Sequence, residues 1–515
     1  MSDPAAIQLK EANEPLQVVW FKRDLRIHDH GPLVAAAQRG VVLPLYVVEP
    51  QLWAQRDASA RQWNFIAECL QELREQLAEL GQPLVVRMGE MLPVLKALQR
   101  QRGIAGLWSH EETGNAFTYR RDLAVGRWCK QQGIPWQETP SSGVIRRLKD
   151  RDGWARVWEQ RMRAPQPSTP TAIESIHGMD CGVIPSADDL KLAVDPCPER
   201  QKGGRSQALD LLDSFLHQRG RAYARELSSP LTAFRSCSRL SAHLSYGTMS
   251  MREVVQIGRA QGAPRAFIER LHWHCHFIQK LESQPSLEFR NAHRAYDGLR
   301  CTATVHLNAW AEGQTGWPFV DACMRALRHH GWINFRMRAM LMAVASYHLW
   351  IDWRDSGAVL ARLFVDYEPG IHWNQCQMQS GTTGINTVRI YNPIKQGQDH
   401  DPEGHFIRRW LPELAAVPVV HLHMPWQMSD AEQHRANCRL GTDYPLPLLD
   451  YAEAAKQARD RVWALRKGRQ YRCEADAIQK QHGSRRGNSD RQSTRSRRRR
   501  SANTVSNGQL ELDFS

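Results

Sequence analysis

The sequence predicts an α/β domain on a doubly wound parallel sheet, then an all-α domain and a disordered basic C-terminal tail. Three observations predict this. Strand and helix patterns alternate over the first 140 residues. Strand signals nearly vanish after about residue 205. The last residues are rich in Arg and Ser. Alternation of strand and helix implies parallel strands with helices on both faces, whereas an unbroken helical run implies its own core.

The elements follow in order. LQVVWF (16–21) and VVLPLYVV (41–48) are short β-branched or apolar runs, and RQWNFIAECLQELREQLAEL (61–80) has apolar residues at helical spacing. LVVRM (84–88), MLPVLKALQRQ (91–101), IAGLWS (104–109) and the Arg-rich stretch 117–132 continue the alternation, giving a first domain over 15–140. Ligands of such sheets bind beyond the carboxyl ends of the strands. There is no G-x-G-x-x-G and no P-loop, so an ordinary dinucleotide or triphosphate site is not supported. Residues 141–204, with APQPSTPTAIES and DCGVIPSADDL, read as an interdomain connector on the surface. Helical patterns then fill 205–465, in RSQALDLLDSFLHQRGRAYARE, MREVVQIGRA, FIERLHWHCHFIQKLES, FVDACMRALRHHG and FRMRAMLMAVASYHLW.

A chain of 515 residues is too long for one core, and 42% hydrophobic content with 18 Trp supports sizeable ones. No apolar run approaches the roughly 18–20 residues that cross a bilayer. The N-terminus is polar, so export is not expected. Eleven scattered Cys without a C-x-x-C pair argue for reduced thiols in a cytoplasmic protein. The net charge of +14 is uneven. From Arg466 onward 13 Lys and Arg stand against 5 Asp and Glu, a net of +8 that leaves +6 for the body. Either part favours a polyanion through counterion release, or simply keeps the protein soluble. HGSRRGNSDRQSTRSRRRRSANTVSNG has too little apolar content to bury a core, so residues 466–515 are expected to form a disordered tail.

Chemistry-bearing runs lie in both halves. WFKRDLRIHDHGPL spans 20–33, CSRLS 237–241, GWPFVDACMRALRHHGW 316–332, NFRMR 334–338, IDWRD 351–355, SGTTGINTVRIYNP 380–393 and DPEGHFIRRWLPEL 401–414. Ser238, Arg239, Leu240 and Ser241 offer hydroxyl, guanidinium and backbone donors at a helix start, suited to a pyrophosphate. A plain N-cap would read the same way. Trp310, Trp353 and Trp373 recur in Arg-rich helical sequence. Buried Trp usually fill a core, but a chain of indoles can also pass single electrons. In LHWHCHF, His272 and His276 share a helix face at i and i+4, yet no companion ligand motif appears, so no metal is expected.

Taken together and in this order, these runs resemble the photolyase/cryptochrome family. The resemblance implies an FAD-binding helical domain, with Tyr223, Cys237, Ser238, Arg239, Leu240, Ser241, Arg338, Asp366 and Glu368 at the cofactor. Glu368 departs from the Asp of the family pattern. It implies that Trp310, Trp353 and Trp373 carry electrons from surface to flavin, with Trp373 fitting after a one-residue shift. Segment 366–381 is shorter than the family pattern, and Asn374 is the nearest candidate for the residue beside flavin N5. Arg225, Trp273, Arg336 and Lys395 would meet DNA and its lesion, with Trp273 stacking on damaged bases. The lesion-contacting Glu of many dimer photolyases is missing there, Glu269 lies off register, and Phe335 replaces a polar residue. A protonatable His in LHWHCHF would suit repair of a 6-4 product.

The resemblance further implies light-driven repair of ultraviolet-damaged DNA by a monomer, by electron transfer from photoexcited reduced FAD that splits a pyrimidine dimer. An antenna pigment, methenyltetrahydrofolate or a deazaflavin, would sit in the first domain near Glu112. The rival expectation is a cryptochrome, a blue-light receptor without repair. A DNA-binding flavoprotein without light chemistry would leave the three Trp idle. The ending QLELDFS resembles a bacterial sliding-clamp binding peptide, with Gln509, Leu510, Leu512 and Phe514 as its anchors.

Overall fold

The structure, a computed structural model, describes residues 15–483. β1 (Leu16–Phe21), β2 (Val42–Val48), β3 (Val85–Met88), β4 (Ile104–His110) and β5 (Trp136–Thr139) form one parallel sheet in the order β3-β2-β1-β4-β5. The side-chain period of two sorts β1 between two cores. Val19 and Phe21 face the helix Ala60–Glu79, packing with Trp63, Phe65 and Leu70. Leu16, Val18 and Trp20 face the helices Met91–Gln101 and Ala116–Gln132, packing with Leu95, Leu98 and Val125. Both faces of β1 are covered, as an all-parallel sheet requires. The doubly wound sheet matches the expectation, with one strand more than was read. β5, WQET, is a short edge strand of mostly polar residues and carries no periodic signal.

The connector is not a bare loop. It contains the helix Trp154–Arg163, whose Trp154, Trp158 and Met162 join a core with Phe215, Tyr223, Leu240 and Phe267. Farther on it straps the sheet edge, where the Val86 amide donates to the Cys181 carbonyl at 2.8 Å. Buried Arg61 ties the strap down through Asp195, and its Nη1 donates to the Leu363 carbonyl at 3.0 Å.

The second domain is helical. Its core gathers Trp310, Trp317, Trp353 and Trp373 around Met324, Met337, Met340 and Met342. The segment after β1 pins the two domains together. Arg23 donates to the Ser245 and Tyr367 carbonyls at 2.8 and 2.6 Å, Arg26 to Gly247 at 2.9 Å, and the Leu25 amide to Tyr246 at 3.1 Å. The approach is so close that a Cβ on Gly247, at φ 70°, would lie 2.3 Å from the Arg23 carbonyl oxygen.

The expectation that structure ends at 466 is corrected. Arg469–His482 form a helix. Tyr471 stacks on His293 with ring centroids 4.1 Å apart and bonds the Tyr296 hydroxyl at 2.8 Å, Ile478 is buried, and His482 bonds Gln284 at 2.6 Å. A few anchors on existing aromatic surface are enough to order a helix with little apolar content of its own. The RRRR cluster and Gln509, Leu510, Leu512 and Phe514 lie outside the described residues. Among the described residues no helix is long and apolar enough to cross a membrane.

Candidate functional site

Cys237 to Ser241 form a tight bend entering the helix Ser241–Ser245. Arg239 holds a left-handed φ of 62°, which is costly for a residue with a Cβ and marks a constrained position. Its carbonyl accepts from Gln201 Nε2 at 2.7 Å, and Arg219 donates to the carbonyls of Cys237 and Ser238 at 2.5 and 3.3 Å. The Arg239 guanidinium lies over Trp332 at 4.2 Å. Burial lowers its pKa to about 10, so it remains charged at neutral pH.

Arg338 grips Asp366 through two parallel bonds of 3.0 and 2.8 Å and also stands 6.0 Å from the Trp332 ring. The phosphate-type bend and the Arg338–Asp366 pair therefore meet around one indole. Burial raises the Cys237 thiol to about 11, against the opposing fields of Arg270, Arg239, Arg219 and Arg338. The Cys237 surroundings are thus desolvated and positive, and Asp366 pairs with Arg338 within them. Arg239 Nε and Ser241 Oγ are buried with no hydrogen-bond partner. Unsatisfied buried donors on a guanidinium and a hydroxyl of one bend are what a pyrophosphate would satisfy, so the residues fit a flavin dinucleotide.

The other expected cofactor residues divide. Tyr223 is buried edge-on to Phe215 and Phe267, and burial raises its hydroxyl to about 12. Ser238 Oγ accepts from the Leu240 amide at 3.4 Å, and Leu240 is buried. Glu368 turns across the domain boundary to Arg23, 3.3 Å away, and lines an interdomain cleft with Lys22, His110, Glu112 and His274. Asn374 spends its amide donors on the carbonyls of Gly370 and Phe277, at 2.6 and 3.2 Å. It joins its own helix to Arg265–Ser283.

Two of the three electron-transfer candidates come together. Trp353 and Trp373 lie 6.0 Å apart at 65°. Trp373 adjoins His372 at 4.8 Å, His372 lies 6.0 Å from Phe364, and Arg338 stands 4.1 Å over Phe364, so ring contacts link the pair to Arg338. Trp310 packs in the same core but is fully buried, which corrects the expectation that it opens the chain at the surface.

On the presumed DNA side, the Arg225 side chain is 82% exposed and Lys395 53%. Arg336 and Trp273 are half-buried, with Trp273 edge-on to His276 at 4.8 Å. The histidines of LHWHCHF do not form a metal pair. His272 sits edge-on to Trp154 and Trp158, while His276 Nδ1 meets Arg151 at 2.6 Å. Burial favours the neutral form of all three histidines, His272 included. Burial, then Lys280 and Arg151, pushes the His276 pKa far down, and burial lowers His274 to about 4.

Glu112 follows β4 at the point where the strand order reverses, the place where such sheets bind ligands. It bonds Arg121 at 2.6 Å and lines two clefts, one between the domains and one bounded by Tyr46, Trp53 and Tyr367. Beside it, Asp24 Oδ2 meets His110 Nδ1 at 2.7 Å and His30 Nε2 at 3.0 Å. Burial opposes ionisation of Asp24, yet the two imidazole bonds hold its carboxyl well below the usual range. These three residues could in principle ligate a metal. However, His30 Nδ1 accepts the Leu33 amide, so Nε2 carries the proton and donates to Asp24. The cluster is a hydrogen-bonded brace for the interdomain segment.

Sequence reasoning missed Arg219, Arg270 and Trp332. Arg219 sits in RGRAYARE with no pattern to single it out, and the role of Trp332 depends on two Arg brought together from the bend 237–241 and the helix Phe335–Ala343.

Comparisons with known proteins bear on the family and the fold. Residues 17–164 match the family model described as DNA photolyase, and 267–464 that described as FAD binding domain of DNA photolyase. A deoxyribodipyrimidine photo-lyase of Streptomyces griseus is 29% identical over 460 residues, covering 85% of this chain and 97% of that protein. Cryptochrome DASH of Gloeobacter violaceus is 28% identical over 475 residues, covering 85% and 94%. The crystal structure of a bacterial class III photolyase from Agrobacterium tumefaciens superimposes with a TM-score of 0.75 at 25% identity, covering 89% of this chain and 99% of that one. Both halves, in this order and on this fold, place the chain in the photolyase/cryptochrome family.

Proposed function

We propose that this protein is a light-driven DNA repair enzyme that splits pyrimidine dimers. The observation that carries the reading is the Trp353–Trp373 ring pair, joined by ring contacts through His372 and Phe364 to Arg338, which shares the Trp332 ring with Arg239. Arg239 and Ser241, whose buried Nε and Oγ lack partners, hold the pyrophosphate of FAD, on a bend that Arg219 braces through the carbonyls of Cys237 and Ser238. Tyr223 and the Arg338–Asp366 pair fix the cofactor's position, and Trp353 and Trp373 deliver electrons inward. Bound FAD supplies light absorption and single-electron chemistry.

Trp273 stacks on an extruded lesion, and extrusion is cheapest for damaged, poorly stacked bases. Arg225, Arg336 and Lys395 hold phosphates, positioning the duplex without reading sequence. Burial holds His274 and His276 toward the neutral form, which suits a cyclobutane dimer, whose splitting by electron transfer needs no proton donor. A second chromophore, methenyltetrahydrofolate or a deazaflavin, occupies a cleft at Glu112. The protein acts in the cytoplasm as a monomer, and Gln509, Leu510, Leu512 and Phe514 dock on a sliding clamp.

A second reading, a blue-light receptor, is favoured by LHWHCHF, which lacks the in-register Glu that the family pattern sets against the lesion. One assay separates them. Purified protein, ultraviolet-damaged DNA and blue light should leave fewer dimers than the dark control. Unchanged dimer counts with intact flavin photochemistry would select the receptor.

A further inference from the structure

Of the three expected electron carriers, one has a polar partner on its indole nitrogen. Trp353 Nε1 donates to Asn291 Oδ1 at 2.7 Å, and Asn291 Nδ2 donates in turn to Asp297 Oδ1 at 2.8 Å. Asn291 is 3% exposed and Trp353 1%, so this short chain lies out of water. Asp297 also takes Arg294 at 2.6 Å and reaches solvent with a 41% exposed side chain. The Nε1 atoms of Trp310 and Trp373 are buried with no hydrogen-bond partner.

The charges around the rings point the same way. Arg56 stands 5.3 Å from the Trp373 ring and makes no ion pair among the described residues, so it opposes a positive charge there. Arg354 stands 4.7 Å from Trp353, but Asp352 neutralises it through contacts of 3.0 and 2.9 Å. Trp353 begins its helix, whose positive end would also oppose a cation, and Asp352 and Asp355 offset that end. Trp310 lies in the last turn of Thr304–Glu312, where the helix end favours a cation, yet its N–H has no acceptor.

We propose that Asn291, backed by Asp297, is a positioning residue that makes Trp353 the resting place of the electron hole, so that the working chain ends there and not at Trp310. This rests on the electron-transfer reading above. In the step, Trp373 first gives one electron to the light-excited oxidised cofactor. Trp353 then gives one electron to the Trp373 cation, which returns to neutral indole. One positive charge remains on Trp353, its N–H proton kept in the bond to Asn291 Oδ1. A thiol reductant later returns one electron to Trp353. The amide oxygen, polarised by the Asp297 carboxylate, lowers the energy of the cation, and a hydrogen bond to a charged donor is stronger than one between neutral groups.

The test is transient absorption and electron paramagnetic resonance on the FAD-loaded full chain without DNA, with cofactor content confirmed for each variant. Wild type should show a protonated tryptophan radical that Trp353→Phe removes. Asn291→Ala should shorten its lifetime by at least about tenfold, as expected for losing a charge-assisted bond. Asp297→Asn, which keeps the Asn291 bond, should shorten it by about threefold. Asn291→Asp should yield a deprotonated radical, because the carboxylate takes the proton. Trp310→Phe should leave the radical yield within about twofold. An unchanged lifetime in Asn291→Ala, or loss of the radical in Trp310→Phe, overturns the proposal alone. Persistence of the radical in Trp353→Phe likewise overturns the proposal alone, whereas absence of any tryptophan radical in wild type overturns the electron-transfer reading and the proposal with it.

Discussion

Arg239 concentrates the tension between stability and binding at a single residue. Its left-handed backbone costs about 1 kcal/mol relative to glycine, and its guanidinium is buried over Trp332 with Nε unsatisfied. Both costs make sense if an anionic ligand completes the site. Arg239→Gly should relieve the backbone and leave the cofactor-free melting temperature no lower than wild type. FAD occupancy in the same variant should fall at least about tenfold, the scale of one charge-assisted contact. Undiminished occupancy on dialysis would remove Arg239 from the site. This bend was legible in the sequence because its residues are contiguous. Trp332 was not, since its role depends on Arg239 from the bend and Arg338 from the helix Phe335–Ala343 meeting at its ring. The burial of Trp310 was hidden for a related reason, as a Trp in LNAW looks the same at the surface and in a core.

Elements differ in how far their own sequence specifies them. β1 to β4 were readable from β-branched runs, since strands buried on both faces must be apolar throughout. β5 and the helix Arg469–His482 escaped notice because each is held by its neighbours. β5 pairs with β4, and the helix leans on His293 and Tyr296. The helix Ala116–Gln132 shows how such support can depend on pH. Its first amide, Ala116 N–H, donates to Glu288 Oε2 at 2.7 Å across the domain boundary. Burial, then the nearby Asp57, raises the Glu288 pKa to about 7. A raised carboxyl pKa contributes stability that is full below the ordinary value near 4.5 and is lost as pH rises through about 7, on the order of 3 kcal/mol in all. Glu288→Gln keeps a carbonyl for the Ala116 amide and cannot ionise. It should melt above wild type at about pH 8 and flatten the stability profile between about pH 5 and pH 8. Parallel profiles for the two proteins would show that Glu288 is not strained.

At the scale of the whole molecule, the two domains act as one body because β1 runs directly into a segment gripped by Ser245, Tyr246, Gly247 and Tyr367. The C-terminal helix continues the same logic, since its Tyr471 hydroxyl donates to the Gly384 carbonyl at 3.2 Å and Glu474 accepts the Arg294 amide at 2.7 Å. Two truncations should therefore behave differently. Removing 484–515 deletes eight Arg against three acidic residues and touches none of these contacts. Melting temperature and FAD content should stay near wild type, while nonspecific DNA affinity drops and its salt dependence becomes shallower. Removing 469–515 also strips the Tyr471–His293 stack and exposes His293 and Tyr296. That should lower stability by about 2 kcal/mol or more, the range for losing a buried aromatic contact with its hydrogen bonds. It should also speed hydrogen exchange in the segment 290–297, which carries Asn291 and Asp297. Since that segment holds the Trp353 nitrogen, the longer truncation should shorten the tryptophan radical lifetime and the shorter one should not. Equal lifetimes in both truncations would mean that the helix Arg469–His482 is a passive cover and has no hold on the electron path.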